Sequence, residues 1–115
     1  MTVLCYEKCS TCRRALRWLD ARGAVYTLRP IKEDNPSAEE LRRWWKMSGL
    51  PLRRFFNTSG MLYRELGLKD RLDGMTEEEQ IRLLASDGML VKRPLLVTDR
   101  TAIPGFREEE WSLAL

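Results

Sequence analysis

The spacing of apolar residues changes along the N-terminal part of the chain, and each change predicts an element. Residues 2–6 form a short apolar run, which is typical of a buried strand. Residues 24–29 alternate between apolar and polar side chains, as in a half-buried strand that ends near Pro30. Between them, over residues 11–22, the apolar side chains return at helical spacing: Cys12, Ala15, Leu16 and Leu19. A strand, a helix and a strand over about 30 residues predict a parallel βαβ unit.

The middle of the chain has a helical pattern. Two capping boxes occur there, in which a serine or threonine and a glutamate three residues later satisfy each other's backbone donors. They pair Ser37 with Glu40 and Thr76 with Glu79, and each opens an amphipathic run. A briefer helix is predicted between the two. We therefore predict a helical insert over about residues 36–88.

The C-terminal part again has the pattern of strands. Residues 95–98 are a second buried apolar run, and residues 101–103 are predicted to pair back with it as a hairpin. A last helix follows and carries Trp111, Leu113 and Leu115. The order βαβ, helices, ββα predicts one α/β domain over residues 1–115.

Composition and charge narrow the class of protein. The chain has 115 residues, of which 43% are hydrophobic and 32% charged, and its net charge is +3. No apolar stretch approaches the length of a membrane span of about 20 residues, and no secretory signal pattern opens the chain. Acidic and basic residues are interleaved rather than clustered. We expect a globular protein with neither membrane nor direct nucleic-acid partners.

The clearest chemical signal is the CxxC motif of Cys9 and Cys12, with Ser10 and Thr11 between them. Cys9 lies where the first predicted strand gives way to the helix. Its thiol there meets unpaired backbone N–H groups and the positive end of the helix dipole. Both favour the thiolate, which is the reactive form. Cys12 lies one turn along the helix and could attack a disulfide or sulfenate formed on Cys9. The motif predicts thiol redox chemistry.

The remaining cysteine chemistry leaves alternatives open. Three cysteines, two of them in one CxxC motif, indicate a reducing cytoplasm rather than a disulfide scaffold. Cys5 lies inside the first strand and is expected in the core, with a role in redox exchange as the alternative. Cys12 could also be a packed residue of the apolar stripe. The motif supplies only half of a tetrahedral zinc shell, and histidine is absent, so we expect no metal and no bound cofactor.

Four motifs agree in order and spacing with one known family. They are Tyr6-x-x-Cys9-x-Thr11-x-Arg13, the run from Tyr63 to Leu68, Lys92-Arg93-Pro94-Leu95, and Gly105-Phe106 before the last helix. With them the chain resembles, over essentially its whole length, the glutaredoxin-like arsenate reductase (ArsC-like) family, which includes the Spx and MgsR redox regulators. The resemblance implies a thioredoxin-like α/β fold, with a mixed sheet and the helical insert between its βαβ and ββα halves.

The resemblance also implies roles for residues outside the CxxC motif. Arg93 matches an arginine that binds the oxyanion in arsenate reductases, and its bond to Pro94 is expected to be cis and to face the two cysteines. Arg107 matches a further family arginine, with a small slip in the alignment. Arg13 matches the arginine of the family's CxTxR pattern. It could stabilise the Cys9 thiolate or be a solvated helix residue.

One arginine of the arsenate reductases has no counterpart in the sequence. None stands in residues 56–60, and Arg53 and Arg54 lie nearby but out of register. Losing one charge-assisted contact, about 1.5–3 kcal/mol, predicts oxyanion binding weaker by about 10- to 100-fold. We therefore do not expect efficient arsenate reduction.

These features together predict a thiol–disulfide oxidoreductase. Cys9 attacks, Cys12 resolves, and Arg93 with the amides of Ser10 and Thr11 holds an anionic group. The substrate is expected to be an oxyanion or a mixed disulfide, and the reductant glutathione or thioredoxin. The resemblance leaves an alternative: a redox-sensing transcriptional regulator that binds RNA polymerase, with the CxxC motif as its switch. A retained fold whose thiols do no chemistry is a third interpretation.

Overall fold

Four short strands form one mixed sheet. The computed structural model describes all 115 residues. Its strands are β1 (Thr2–Cys5), β2 (Thr27–Pro30), β3 (Leu95–Val97) and β4 (Ala102–Pro104). They lie in the order β2-β1-β3-β4, with β1 parallel to β2 and β3 antiparallel to both β1 and β4. The predicted α/β architecture with a mixed sheet is confirmed.

The strand β2 is shorter than its alternating pattern predicts. It begins at Thr27 rather than at residue 24, because its parallel partner β1 begins at Thr2, directly opposite Thr27. Residues 24–26 therefore have no strand to pair with. The other three strands lie close to where the apolar pattern places them.

Six helices complete the fold, and none combines the length and apolar character needed to cross a membrane. They are α1 (Ser10–Ala21), α2 (Ala38–Ser48), α3 (Met61–Glu65), α4 (Leu68–Arg71), α5 (Glu77–Ser86) and α6 (Glu108–Ala114), with 3-10 turns at Leu52–Phe55, Leu72–Gly74 and Gly88–Leu90. Both capping boxes form: Ser37 Oγ accepts from the Glu40 N–H at 3.1 Å, and Thr76 Oγ1 accepts from the Glu79 N–H at 3.1 Å. The predicted helical insert lies between β2 and β3.

The sheet is covered on both faces, and the alternation of side chains along β1 decides which core each residue joins. Val3 and Cys5 pack with α1 and α6, whereas Leu4 joins the larger core built with the insert. Of the apolar residues predicted in the last helix, Trp111 is buried and Leu113 is 90% exposed. Two positions along a helix turn the side chain by about 200°, so these two residues lie on opposite sides of α6.

A backbone bridge ties the insert to the segment that leads into β3. Phe56 and Val91 form an isolated antiparallel pair, and the Lys92 N–H donates to the Phe55 carbonyl oxygen at 2.8 Å. The 3-10 turn Leu52–Phe55 is thereby placed beside residues 92–94. This bridge, rather than any sequence neighbourhood, brings two distant basic segments together.

Candidate functional site

Cys9 is the N-cap residue of α1. Its backbone is extended (φ −92°, ψ 117°), and its Sγ accepts a hydrogen bond from the Cys12 N–H at 3.4 Å. Ser10 and Thr11 are the first helical residues, so their N–H groups have no partner within the helix. The positive end of the helix dipole favours an anionic group at this position. Cys9 thus lies at the N-terminus of α1, where the CxxC pattern places it, and its role as nucleophile stays a prediction.

Cys12 lies on the buried side of α1, with Ala15 and Leu19, and is 1% exposed. Its interaction with the Cys5 thiol, followed by burial, raises the pKa of the Cys12 thiol far above its ordinary value. All three cysteines are free thiols. Cys12 is thus packed as a core residue and also adjacent to Cys9. Both interpretations of its role stay predictions.

A strongly basic cleft of about 400 Å³ opens next to the start of α1, where Thr11 lines it. Its cationic residues are Arg53, Arg54, Lys92, Arg93 and Arg107. The other lining residues are Thr11, Phe56, Thr58, Pro104, Gly105, Phe106 and Glu110. We call this feature the basic cleft. Four guanidinium groups and one ammonium group facing a single carboxylate favour an anionic ligand.

Arg93 has unused hydrogen-bonding capacity in the basic cleft. Its bond to Pro94 is cis, as expected from the family resemblance. One guanidinium nitrogen, Nη1, donates to the Met89 carbonyl oxygen at 3.3 Å, and the group lies 5.3 Å from the centre of the Tyr6 ring. Its Nε is buried and has no hydrogen-bond partner. A buried donor left unpaired costs about 1–3 kcal/mol, so the protein itself leaves part of the Arg93 guanidinium group uncompensated.

The loop that carries Arg107 is fixed by its neighbours. Gly105 adopts φ +82°, which glycine tolerates best, and its N–H donates to the Pro94 carbonyl oxygen at 2.9 Å. The Trp111 indole N–H donates to the Gly105 carbonyl oxygen at 2.9 Å, and the Phe106 ring packs edge-on against the Trp111 ring. The exposed Arg107 therefore projects from a fixed backbone beside the cis peptide bond.

The arginines of the basic cleft differ in how far a carboxylate neutralises them. Arg53 donates to Asp73 at 2.7 Å, and Arg107 lies 3.8 Å from Glu110. Arg54 is exposed and makes no ion pair. Of the four arginines, Arg54 and Arg93 therefore carry the least compensated charges, and Lys92 makes no ion pair either.

Arg53 and Arg54, which the sequence places out of register with the family arginine, both line the basic cleft. The bridge of Phe56 to Val91 brings both arginines to the same cleft as Arg93. Weaker oxyanion binding and inefficient arsenate reduction stay predictions. A backbone pairing between distant segments leaves no sequence signal; the only hint is an Arg-Arg pair close to the vacant family position.

The predicted site residues do not all gather in one place. Thr11, Arg93 and Arg107 line the basic cleft, Ser10 is exposed at the start of α1, and Pro94 is buried. Arg13 is exposed as well, but it lines a different groove together with Cys5 and Cys12. The structure therefore does not bring Arg13 together with Arg93.

The comparison that decides the family covers almost the whole chain. The sequence model of the ArsC family matches residues 4–114. The chain belongs to the ArsC family. The resemblance inferred from the four motifs is thus confirmed, and with it the thioredoxin-like fold of ArsC proteins.

Known proteins similar to this ArsC-family chain include both uncharacterised and regulatory ones. Protein YusI of Bacillus subtilis (strain 168), described as uncharacterised, is 50% identical over 111 residues, covering 96% of this chain and 94% of the relative. The regulatory protein MgsR of the same organism is 26% identical over 110 residues, covering 96% and 86%. Regulators are therefore among the sequence relatives of this chain.

Solved structures extend the similarity to the whole fold. An ArsC family related protein from Bacteroides fragilis superposes with a TM-score of 0.97 at 53% identity, covering 99% of this chain and 96% of that one. An arsenate reductase from Vibrio cholerae gives a TM-score of 0.81 at 31% identity, covering 99% and 97%. The ArsC-family fold is common to proteins of more than one described function.

Proposed function

We propose that this ArsC-family chain is a thiol–disulfide oxidoreductase in which Cys9 is the nucleophile and the basic cleft binds the anionic part of the substrate. The observation that carries the proposal is Arg93, which lines a cleft next to the helix end that holds Cys9 and whose Nε has no hydrogen-bond partner in the protein. A purely structural arginine would have its donors satisfied by the protein.

The chemistry needs only thiols and an external reductant. The Cys9 thiolate attacks one sulfur of a mixed disulfide, and the other sulfur leaves as a thiol. Cys12 then attacks Cys9, releases the second thiol and forms the Cys9–Cys12 disulfide, so two thiols supply two electrons. Glutathione or thioredoxin reduces this disulfide again. Because burial and Cys5 raise the pKa of the Cys12 thiol, we expect the second step to accelerate as the pH rises.

The test uses turnover of the mixed disulfide between glutathione and 2-mercaptoethanol, with glutathione as reductant. Glutathione reductase couples the reaction to NADPH consumption. We expect Cys9→Ser to show no turnover above the uncatalysed rate, and Cys12→Ser to accumulate protein carrying one glutathione, visible by mass. Undiminished turnover by Cys9→Ser would contradict the proposal. Full turnover by Cys12→Ser would assign Cys12 to packing alone.

A second candidate function has support in the match to MgsR, which covers 96% of this chain. In that case the CxxC motif is a switch, and the protein binds RNA polymerase as a regulator. Retention of RNA polymerase by the oxidised protein but not by the reduced one, in the absence of turnover, would favour this candidate. Turnover without such retention favours the oxidoreductase.

A further inference from the structure

Cys12 is next to two other thiols rather than one. Its backbone N–H donates to Cys9 Sγ at 3.4 Å, and the two side chains also interact. Its side chain interacts as well with that of Cys5, the last residue of β1, which is 6% exposed and packs in the same core cluster. The buried sulfur is thus a neighbour of both.

A second groove reaches this pair of buried thiols. It has a volume of about 430 Å³, and Cys5 and Cys12 line it together with apolar residues such as Leu16 and Leu28. No residue is shared between this groove and the basic cleft. The cysteine cluster therefore has two separate approaches, a basic one near Cys9 and a mainly apolar one at Cys5 and Cys12.

We propose that Cys5 is a third redox thiol, which exchanges with the Cys9–Cys12 disulfide to give a Cys5–Cys12 disulfide. The proposal rests on the proposed function, because that reaction supplies the Cys9–Cys12 disulfide. Cys5 loses its proton to solvent and attacks Cys12 Sγ. The bond between Cys9 and Cys12 breaks, and its electron pair leaves on Cys9 as a thiolate. No net oxidation or reduction takes place in this step.

The environments of the three sulfurs set the direction of the exchange. Cys5 and Cys12 are both buried, and a disulfide between them places no charge in the core. Cys9 is partly exposed and lies at the helix N-terminus, where the Cys12 N–H faces its sulfur. The best place for the negative charge is therefore Cys9, and the better leaving group departs faster.

The exchange changes what the oxidised protein can do. It returns Cys9 as a thiolate beside the basic cleft, so Cys9 can attack a second substrate while the first oxidising equivalent is stored inside the core. The stored disulfide faces the apolar groove. A reductant would reach it there, in a groove that shares no residue with the basic cleft.

Tryptic peptides can distinguish the two disulfides. Cleavage after Lys8 places Cys5 in residues 1–8, and cleavage after Arg13 places Cys9 and Cys12 together in residues 9–13. Reduced protein is oxidised with stoichiometric oxidised glutathione, quenched in acid, alkylated with N-ethylmaleimide and digested. We expect mass spectrometry to find residues 1–8 linked to residues 9–13, with the alkyl group on Cys9.

The other outcomes separate failure of the exchange from failure of the proposed function. An internal disulfide in residues 9–13, with Cys5 alkylated, would overturn the exchange and leave the proposed function intact. A link from Cys5 to Cys9, with Cys12 alkylated, would overturn the exchange as well. If oxidised glutathione leaves Cys9 alkylated and all three cysteines unlinked, the proposed function fails and the exchange fails with it.

Two variants sharpen the assignment. In Cys9→Ser the exchange route is lost, so we expect the linked peptides to form at least about tenfold more slowly. Linkage at the wild-type rate in this variant would overturn the exchange. In Cys5→Val, a β-branched replacement on a strand, only the internal disulfide of residues 9–13 is expected. Circular dichroism checks that this variant folds, and the wild-type experiment stands without it.

Discussion

Arg29 and Arg93 are both half-buried arginines next to an aromatic ring, yet their hydrogen bonding differs completely. Arg29 donates to both carboxylate oxygens of Glu40, at 2.7 and 3.0 Å, and to the carbonyl oxygens of Asp34 and Asn35. Arg93 makes one bond of 3.3 Å, and its buried Nε has no partner. The hydrogen-bond donors of Arg29 are thus satisfied by the protein, whereas most donors of Arg93 are not.

This difference indicates that Arg29 stabilises the fold, whereas Arg93 is available to bind a ligand. Arg29 lies on β2 and Glu40 in the first turn of α2, so the pair joins the sheet to the helical insert. All the partners it needs come from the protein. Arg93 stands in a cleft with four other cations and lacks such partners. An arginine whose donors the fold leaves open is arranged for an acceptor from outside.

Among the substitutions that separate the two arginines, removal of Arg93 is expected to have the largest effect. In Arg93→Ala we expect kcat/KM for an anionic substrate to fall by about 10- to 100-fold, because a charge-assisted contact of about 1.5–3 kcal/mol is lost. The free energy of unfolding should not fall by more than about 0.5 kcal/mol, since the protein itself satisfies little of this side chain. Steady-state kinetics and urea unfolding measure the two quantities.

Arg100→Ala is the matched control for Arg93→Ala. Arg100 is an exposed arginine between β3 and β4, and it does not line the basic cleft. Its removal subtracts the same charge without removing a cleft contact. Equal losses of kcat/KM in the two variants would show that net charge, rather than the placement of Arg93, determines substrate binding.

The reverse outcome is expected for Arg29. In Arg29→Ala the free energy of unfolding should fall by about 2 kcal/mol, because the hydrogen bonds to Glu40 are lost and this partly buried carboxylate is left unpaired. We expect kcat/KM to change little. The control is Arg43→Ala on α2, an exposed arginine without an ion pair, which urea unfolding should place within about 0.5 kcal/mol of the wild type. Similar losses in both variants would contradict the structural role of Arg29.

The sequence alone predicts the elements but not this contrast between two arginines. Capping boxes such as Ser37 with Glu40 and the placement of Cys9 are local patterns, and local patterns can be predicted from sequence. Nothing in the sequence separates Arg29 from Arg93, because the saturation of a guanidinium group depends on which distant segments fold around it. The proximity of Cys5 to Cys12 is likewise a tertiary property of β1 packed on α1.

The contrast also predicts a pH dependence. The Arg29 guanidinium holds the pKa of the Glu40 carboxyl at about 2, below its ordinary value of 4.5. A lowered pKa in the folded state stabilises the protein above pH 4.5, and this contribution is lost as the pH falls from 4.5 towards 2. We expect the free energy of unfolding of the wild type to exceed that of Glu40→Gln by about 1–2 kcal/mol at pH 7. This difference should shrink as the pH falls towards 2.

Urea unfolding of the wild type and Glu40→Gln at several pH values measures this difference. Glu79→Gln is a useful comparison, because backbone and side-chain hydrogen bonds from Thr76 are the main causes that lower the pKa of its carboxyl, and the charge of Arg82 contributes least. Raised salt should weaken the Glu40 effect more than the Glu79 effect. A Glu40 difference that does not change between pH 7 and pH 2 would show that its carboxylate charge contributes nothing.

Arg107 is intermediate between Arg29 and Arg93, because it lines the basic cleft and also has a carboxylate partner, Glu110. Changing this partner is expected to have the smallest effect. Glu110 lies 3.8 Å from Arg107 and is the one carboxylate lining the basic cleft. Because this pair is exposed, Glu110→Gln should raise kcat/KM for an anionic substrate by only about two- to threefold, and high salt should remove the gain. Glu109→Gln, on the same helix but outside the cleft, should leave kcat/KM nearly unchanged. A fall in kcat/KM for Glu110→Gln would instead show that the substrate carries a cationic group that this carboxylate binds.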